Sequence, residues 1–311
     1  MGKLLFIRGG AVGDFILTLP AIQLVRQGFP DLEIEILGYR SITELAVAAG
    51  LADRTSSIEM ATMAPFFAPG ASLDSQLSEY FASFDVVVSY LYDPDGFFQG
   101  NLIRAGVETL IVGPYKMDEQ PYSPPAAHQL AEPLGQLALF LDEPFVEVSY
   151  GDSAKNEDPV VAIHPGSGSA SKNWSFEAWA DLAKQIRNKM PGTSFLIISG
   201  EAEHETISDF LSLIDHHDLD YQHLQGEDLP AVGQVLQRCD LFLGHDSGIS
   251  HLAASTGIPG LVLFGPTNPS IWAPPHPSFD YIKAPRGQLG NLTVSSVWEN
   301  PAFQEKLKSI S

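Results

Sequence analysis

A chain of 311 residues is too long for one typical core and suits two α/β domains. With 17 basic against 38 acidic residues its net charge is −21. That balance disfavours long-range attraction to nucleic acid or an anionic membrane, so any phosphate must be held by local N–H groups and a few placed cations. Apolar content is 44%, and no apolar run approaches the roughly 20 residues of a membrane span. The single cysteine, Cys239, excludes an internal disulfide, fits a cytoplasmic protein and reads as a core residue.

The N-terminal stretch from Met1 to Arg8 is too short in its apolar part for a signal peptide and reads as a first strand. Phe6 stands where myristoylation of Gly2 needs Ser or Thr. Buried strands follow at Ile34 to Leu37, Val86 to Ser89 and Leu110 to Val112, with helices at Phe15 to Gln27 and Ile42 to Ala49. The segment Ala61 to Leu73 reads as a loop or lid. A polar stretch from Glu147 to Pro159 reads as an interdomain linker.

The same grammar then restarts. Strand Val160 to His164 leads through a Gly/Ser loop to a helix from Phe176, capped by Ser175 and ended by Pro191-Gly192. Strand Phe195 to Ser199, a helix through Phe210 to Ile214 and a helix at Leu229 to Arg238 come next. Strands Leu241 to Leu243 and Leu261 to Phe264 follow. The last helix, Val297 to Leu307, lies beyond both domains and is expected to cross back onto the first. The pattern predicts two Rossmann-like domains facing each other across a cleft, at residues 1–152 and 158–295, with 296–311 packing on the former. Binding proteins, dehydrogenases and two-domain glycosyltransferases all fit that pattern.

Three segments carry chemistry. In Gly9-Gly10-Ala11-Val12-Gly13-Asp14 the glycines are spaced GGxxG, not GxGxxG, and an acid stands where a dinucleotide phosphate would sit. Asp14 would repel a pyrophosphate. It is suited either to taking a proton from a bound hydroxyl or simply to capping its helix. The loop His164-Pro165-Gly166-Ser167-Gly168-Ser169-Ala170-Ser171-Lys172-Asn173-Trp174 can wrap a phosphate with N–H and O–H donors, with Lys172 supplying positive charge. His164 reads as a strand end with a satisfied ring. The third segment, Leu243-Gly244-His245-Asp246-Ser247-Gly248-Ile249-Ser250-His251, runs from an apolar strand through a polar turn into an apolar helix. It places helix N-terminal N–H groups, Ser247 and His251 at a sheet edge, with Asp246 predicted as N-cap and Gly248 allowing close backbone approach.

Together these segments resemble glycosyltransferase family 9, the ADP-heptose lipopolysaccharide heptosyltransferases, with a GT-B fold. The resemblance rests on Gly13-Asp14 with Leu19-Pro20-Ala21, His164-Pro165-Gly166-Ser167-Gly168 with Lys172-Asn173-Trp174, and Asp246-Ser247-Gly248 with His251-Leu252-Ala253. Phe264-Gly265-Pro266-Thr267-Asn268-Pro269 and Trp272 complete it. It implies Asp14 as general base in an inverting transfer from an ADP-sugar to a glycan or glycolipid hydroxyl. Ser167, Gly168 and Lys172 would hold the pyrophosphate. Asp246 would contact the donor sugar or order the loop, and Ser247, Gly248 and His251 would face the phosphates. Glu201 is a candidate for ribose contact and Leu229 for the adenine.

The resemblance implies no cofactor and no metal. Asp93-Pro94-Asp95 spells the metal-binding DxD of other glycosyltransferases, but Pro94-Asp95-Gly96 is a turn signature. The implied location is cytoplasmic, reaching at most the inner face of the inner membrane by peripheral association. One departure from the family pattern concerns charge. Residues 1–150 hold Lys3, Arg8, Arg26, Arg40, Arg54, Arg104 and Lys116 as their only basic side chains, which points to a less charged acceptor than phosphorylated lipid A. A nucleotide-sugar epimerase or hydrolase of the same architecture, and a non-catalytic nucleotide-sugar-binding module, are the alternatives.

Overall fold

The computed structural model describes residues 2–151 and 154–310. The chain divides into two compact units, Met1–Val146 and Glu147–Ser311. In the first, strands β1 (Lys3–Arg8), β2 (Glu33–Gly38), β3 (Arg54–Ser57), β4 (Val86–Ser89) and β5 (Leu110–Val112) form a parallel sheet of order β3-β2-β1-β4-β5. Leu5, Ile7, Leu37 and Val87 of this sheet bury against Phe66, Phe81 and Phe98. Met63 and Phe66 are fully buried, so the front of the expected lid belongs to the core.

The helix predicted over Phe15 to Gln27 is two, Val12–Ile16 and Leu19–Gly28. Pro20 explains the break, because a residue without an N–H cannot continue a helical ladder but fits the first turn of a new one. The Thr18 hydroxyl closes the junction by donating to the Asp14 carbonyl at 2.8 Å.

In the second unit, β6 (Val160–Ile163), β7 (Ser194–Ser199), β8 (Tyr221–Gln225), β9 (Leu241–His245), β10 (Gly260–Phe264) and β11 (Phe279–Lys283) are again all parallel, in the order β11-β10-β9-β6-β7-β8. Counted within the unit this is the Rossmann order 3-2-1-4-5-6. In each sheet the order of strand addition therefore reverses once, between β1 and β4 in the first unit and between β6 and β9 in the second. Open α/β sheets bind ligands outside the carboxyl ends of the strands at that switch point.

The predicted linker belongs largely to the second unit. Val148 N–H donates to Ser255 O at 2.6 Å, Tyr150 N–H to the Gln237 side chain at 2.8 Å, and Lys155 pairs with Asp240 at 2.9 Å. Asp152 and Ser153 lie outside the described residues. The last helix also departs from expectation. It is split into Val294–Trp298 and Pro301–Ser309, and its apolar residues Phe303 and Leu307 are fully buried in the second unit's core with Trp179 and Ile186. Its sequence matches that surface, since Lys189 of the helix Phe176–Lys189 reaches both the Trp298 ring and Gln304, while Lys306 pairs with Asp280 at 2.8 Å.

Candidate functional site

The switch point of the first unit holds Asp14. Gly10 precedes it with φ +99°, a left-handed backbone, and a Cβ there would lie 2.9 Å from Asp14 Oδ2. This glycine lets the turn after β1 fold tightly over the acid. Ala11 N–H donates to Asp14 Oδ2 at 3.2 Å, so the carboxylate does cap its own short helix. The other oxygen, Oδ1, lies 3.8 Å from the Arg8 guanidinium, and about a third of the side chain remains exposed. Capping occupies one oxygen and leaves the other reachable.

Arg8 is the last residue of β1 and is 5% exposed. It donates to the carbonyls of Asp14 at 3.3 Å and Tyr90 at 3.5 Å, and lies 5.7 Å from the centroid of the Tyr90 ring. Its Nε is buried without a partner among the described residues. Burial lowers the guanidinium pKa from its ordinary value, against the opposing pull of Asp14. The buried guanidinium lies beneath the half-buried Asp14 carboxylate and holds the backbone that carries it.

The switch point of the second unit gathers the loop after β6 and the turn after β9. Lys172 Nζ contacts Asp246 Oδ2 at 2.7 Å, and the same oxygen accepts from the Thr267 hydroxyl at 2.6 Å. Lys283 donates to the Thr267 carbonyl, and burial lowers its pKa while Asp246 opposes the shift. Asp246 is thus an ion-pair hub and not the predicted N-cap. Ser247 takes the cap, its Oγ accepting from Ser250 N–H at 3.4 Å at the start of helix Gly248–Ser255. The geometry follows from side-chain length at the end of β9, with Asp246 facing the lysine loop and Ser247 left to close the helix. His251 is buried within the same helix.

A buried polar chain supports this surface. Ser247 Oγ lies 3.2 Å from His164 Nδ1, and His164 Nε2 lies 3.7 Å from Glu203 Oε2, which also accepts from Gly200 N–H at 2.8 Å. Burial alone would raise the Glu203 carboxyl, but His164 and the Gly200 N–H hold it below its ordinary value. Gly166 leaves room for Glu203, since a Cβ there would fall 2.2 Å from Glu203 Cγ. Ser167 Oγ is held between Ser169 O at 2.9 Å and Asn173 Oδ1 at 2.6 Å, whereas Gly168 borders open space.

His245, overlooked in the sequence, ties the loop to the sheet. Its Nε2 accepts from Trp174 N–H at 2.7 Å and from the Trp179 indole at 3.3 Å. Two donors on Nε2 fix the proton on Nδ1, which faces Gly166 O at 3.4 Å. Burial lowers the ring pKa to about 3. The only hint in the sequence is a histidine closing an otherwise apolar strand.

Glu201 and Leu229 meet at a cavity of about 220 Å³ that also involves Gly226, Val232 and Ile249. Glu201 and Gly200 border a second cavity of about 360 Å³ with His204 and Gln225. The site residues predicted in the second half therefore fall at the carboxyl edge of one sheet. Asp93, by contrast, spends its two oxygens on the Phe98 and Gln99 N–H groups in the first turn of helix Phe97–Arg104. Cys239 is buried and its thiol is pushed up to about 12 by burial, so it is no nucleophile.

Comparison with known proteins adds an independent line. The family described as glycosyltransferase family 9 (heptosyltransferase) matches residues 127–298. The chain is 28% identical over 153 residues to lipopolysaccharide heptosyltransferase 2 of Salmonella typhimurium, covering 48% of this chain and 43% of that protein. It is 28% identical over 145 residues to the lipopolysaccharide core heptosyltransferase OpsX of Haemophilus influenzae, covering 46% and 40%. The matched stretch thus spans about two-fifths of the length of these curated relatives. Among solved structures, a family 9 glycosyl transferase from Veillonella parvula aligns with TM-score 0.78 at 15% identity, over 99% of this chain and 97% of the other. Escherichia coli ADP-heptose lps heptosyltransferase II aligns with TM-score 0.74 at 17% identity, over 99% of both chains. At these identities the likeness is one of fold, two Rossmann-like units of the GT-B class.

Proposed function

The chain belongs to glycosyltransferase family 9, and from that premise we propose that it is an inverting, metal-independent transferase moving a heptose from an ADP-sugar to a glycan hydroxyl. In this reading the Asp14 carboxylate takes the proton of the acceptor hydroxyl. The acceptor oxygen then bonds to the anomeric carbon from the face opposite the nucleotide. The bond from that carbon to the diphosphate oxygen breaks, and ADP departs with the electron pair. Lys172 and the N–H groups opening helix Gly248–Ser255 meet the growing negative charge, with no metal required for it.

The observation that carries this reading is the convergence of Lys172, Asp246, Ser247 and a helix start at the switch point of the second sheet. Asp246 pairs with Lys172 and so sets the lysine's position before the donor arrives. Ser167 and Gly168 complete the diphosphate cradle, and His251 supports it from within the helix. The cavities beside Glu201 and Leu229 suit ribose and adenine. Lipopolysaccharide heptosyltransferase relatives and a solved Escherichia coli heptosyltransferase with ADP-2-deoxy-2-fluoro heptose support the donor assignment. No described helix is long and apolar enough to cross a membrane. A cytoplasmic enzyme meeting its glycolipid acceptor at the inner face of the inner membrane accords with that.

A thermal-shift panel of ADP, UDP and GDP tests the donor assignment, because a ligand that binds the native state raises apparent stability by mass action. ADP is expected to stabilise most. Lys172→Ala is expected to weaken ADP binding by about tenfold or more, the worth of a charge-assisted hydrogen bond. Unchanged ADP affinity would remove Lys172 from the site, and stabilisation by UDP or GDP alone would contradict an ADP-sugar donor.

A further inference from the structure

The carboxyl edge of the first sheet carries exposed aromatic rings where a soluble surface ordinarily has few. Tyr92, just beyond β4, is 64% exposed, and Tyr115, just beyond β5, is 51% exposed. Their rings meet edge to face at 4.7 Å. Phe97, at the start of the helix after β4, adds a third ring at 38% exposure. The backbone fixes their position relative to Asp14. Tyr90 N–H donates to Ile7 O and Gly113 N–H to Ser89 O, so the ends of β1, β4 and β5 lie side by side. Strands are spaced about 4.8 Å apart, which puts the tyrosine pair within about 10 Å of the strand that leads into Asp14.

The charges around this platform are one-sided. Lys3, Arg8, Arg26, Arg40 and Arg54 are each paired with a carboxylate, and Arg104 is bonded to Asn101 and Ala71. Lys116, next to Tyr115, is the remaining basic side chain of this unit. Asp14, Asp93 and Asp95 stand on the same edge. With Asp14 already paired with Arg8, a phosphate group placed over the tyrosines would meet the carboxylates of Asp93 and Asp95 against the single neighbouring cation Lys116.

We propose that Tyr92 and Tyr115 form a stacking platform for a neutral, phosphate-free sugar ring of the acceptor glycan, next to the Asp14 base. An exposed aromatic face is apolar with a negative quadrupole, and it suits the C–H face of a pyranose, whose C–H groups carry slight positive charge. The exposed Asp95 can accept hydrogen bonds from sugar hydroxyls, and the acidic rim repels phosphate. This assignment rests on the transferase reading of the unit and adds the chemical class of its acceptor.

Saturation-transfer NMR on the full chain tests it without relying on turnover. The probes are a phosphate-free core trisaccharide and the same trisaccharide bearing one phosphomonoester, titrated with ADP affinity measured in parallel. The phosphate-free probe is expected to bind more tightly. Tyr92→Ala and Tyr115→Ala should each weaken it about three- to tenfold, while Tyr92→Phe retains binding and every variant keeps wild-type ADP affinity. Tighter binding of the phosphorylated probe, or unchanged binding in both alanine variants, overturns the platform and leaves the transferase reading standing. Absence of binding by either glycan overturns the platform too, and absence of ADP binding as well removes the transferase reading with it.

Discussion

Asp14→Asn is expected to lower heptosyl transfer by about a hundred- to ten-thousand-fold, the usual contribution of a positioned general base, while ADP affinity stays at the wild-type level. The two readouts separate because Asp14 and the diphosphate cradle belong to different units. Asparagine keeps the side-chain shape and an oxygen able to accept from Ala11 N–H, so the turn held by Gly10 survives. What it loses is the capacity to take a proton. Steady-state kinetics with saturating donor, alongside calorimetric titration of ADP, checks both halves. Full turnover in the variant would show that Asp14 is only a helix cap, and lost ADP binding would show that its role is structural.

His245→Ala is expected to destabilise the second unit by about 3–5 kcal/mol. The substitution opens a space at the end of β9 and orphans two buried donors, the Trp174 amide and the Trp179 indole. The wild-type protein should also carry a pH signature of this ring. Its native pKa is held near 3 by burial, below the unfolded value of about 6.5. Between those values the unfolded chain binds a proton that the native chain refuses. The group's contribution is therefore intact above about pH 6.5 and declines by roughly 1.4 kcal/mol per unit as pH falls toward 3. The gap between wild type and variant should narrow by about 2 kcal/mol between pH 7.5 and pH 5.

Urea denaturation followed by tryptophan fluorescence measures this cleanly, since Trp174, Trp179, Trp272 and Trp298 all lie in the second unit. A pH-independent gap would mean that the native ring takes up its proton as readily as the unfolded chain does, and would contradict the burial of His245. The functional consequence runs through the loop. With Trp174 untethered, Lys172 loses the backbone that holds it beside Asp246, and ADP binding should weaken with stability.

Central strands were legible because they are buried on both faces and read as apolar runs. β1, β4, β6, β9 and β10 fall within two residues of their predicted bounds. The edges were not. β3 reads Arg-Thr-Ser-Ser, β8 Tyr-Gln-His-Leu-Gln and β11 Phe-Asp-Tyr-Ile-Lys, the mixed polarity of strands with a neighbour on one side only. Helix ends failed where two polar residues competed for one role, as with Asp246 and Ser247, because only the position of Lys172 decides which of them caps. The last helix was misplaced for a related reason. An apolar stripe announces that it will be buried but not against what, and the Trp298 and Gln304 contacts with Lys189 are non-local.

Glycine-rich turns transferred best from sequence to site. The GGxxG spacing before Asp14 and the loop ending in Lys172 each mark a strand end whose geometry is local. Their supports were invisible: buried Arg8 under Asp14, His164 and Glu203 under Ser247, and His245 under the loop. Each support joins residues far apart in the chain, and its chemistry exists only once the sheets have formed.

Inverting, metal-independent transfer from an ADP-sugar can be read from one reaction. Wild-type protein is incubated with ADP-heptose and a phosphate-free core oligosaccharide in excess EDTA, and the anomeric configuration of the product is read by NMR. The expected product carries a new heptosyl linkage of configuration opposite to the donor, formed at the same rate with or without EDTA. A product that retains the donor configuration, or transfer that stops when metal is chelated, would contradict it.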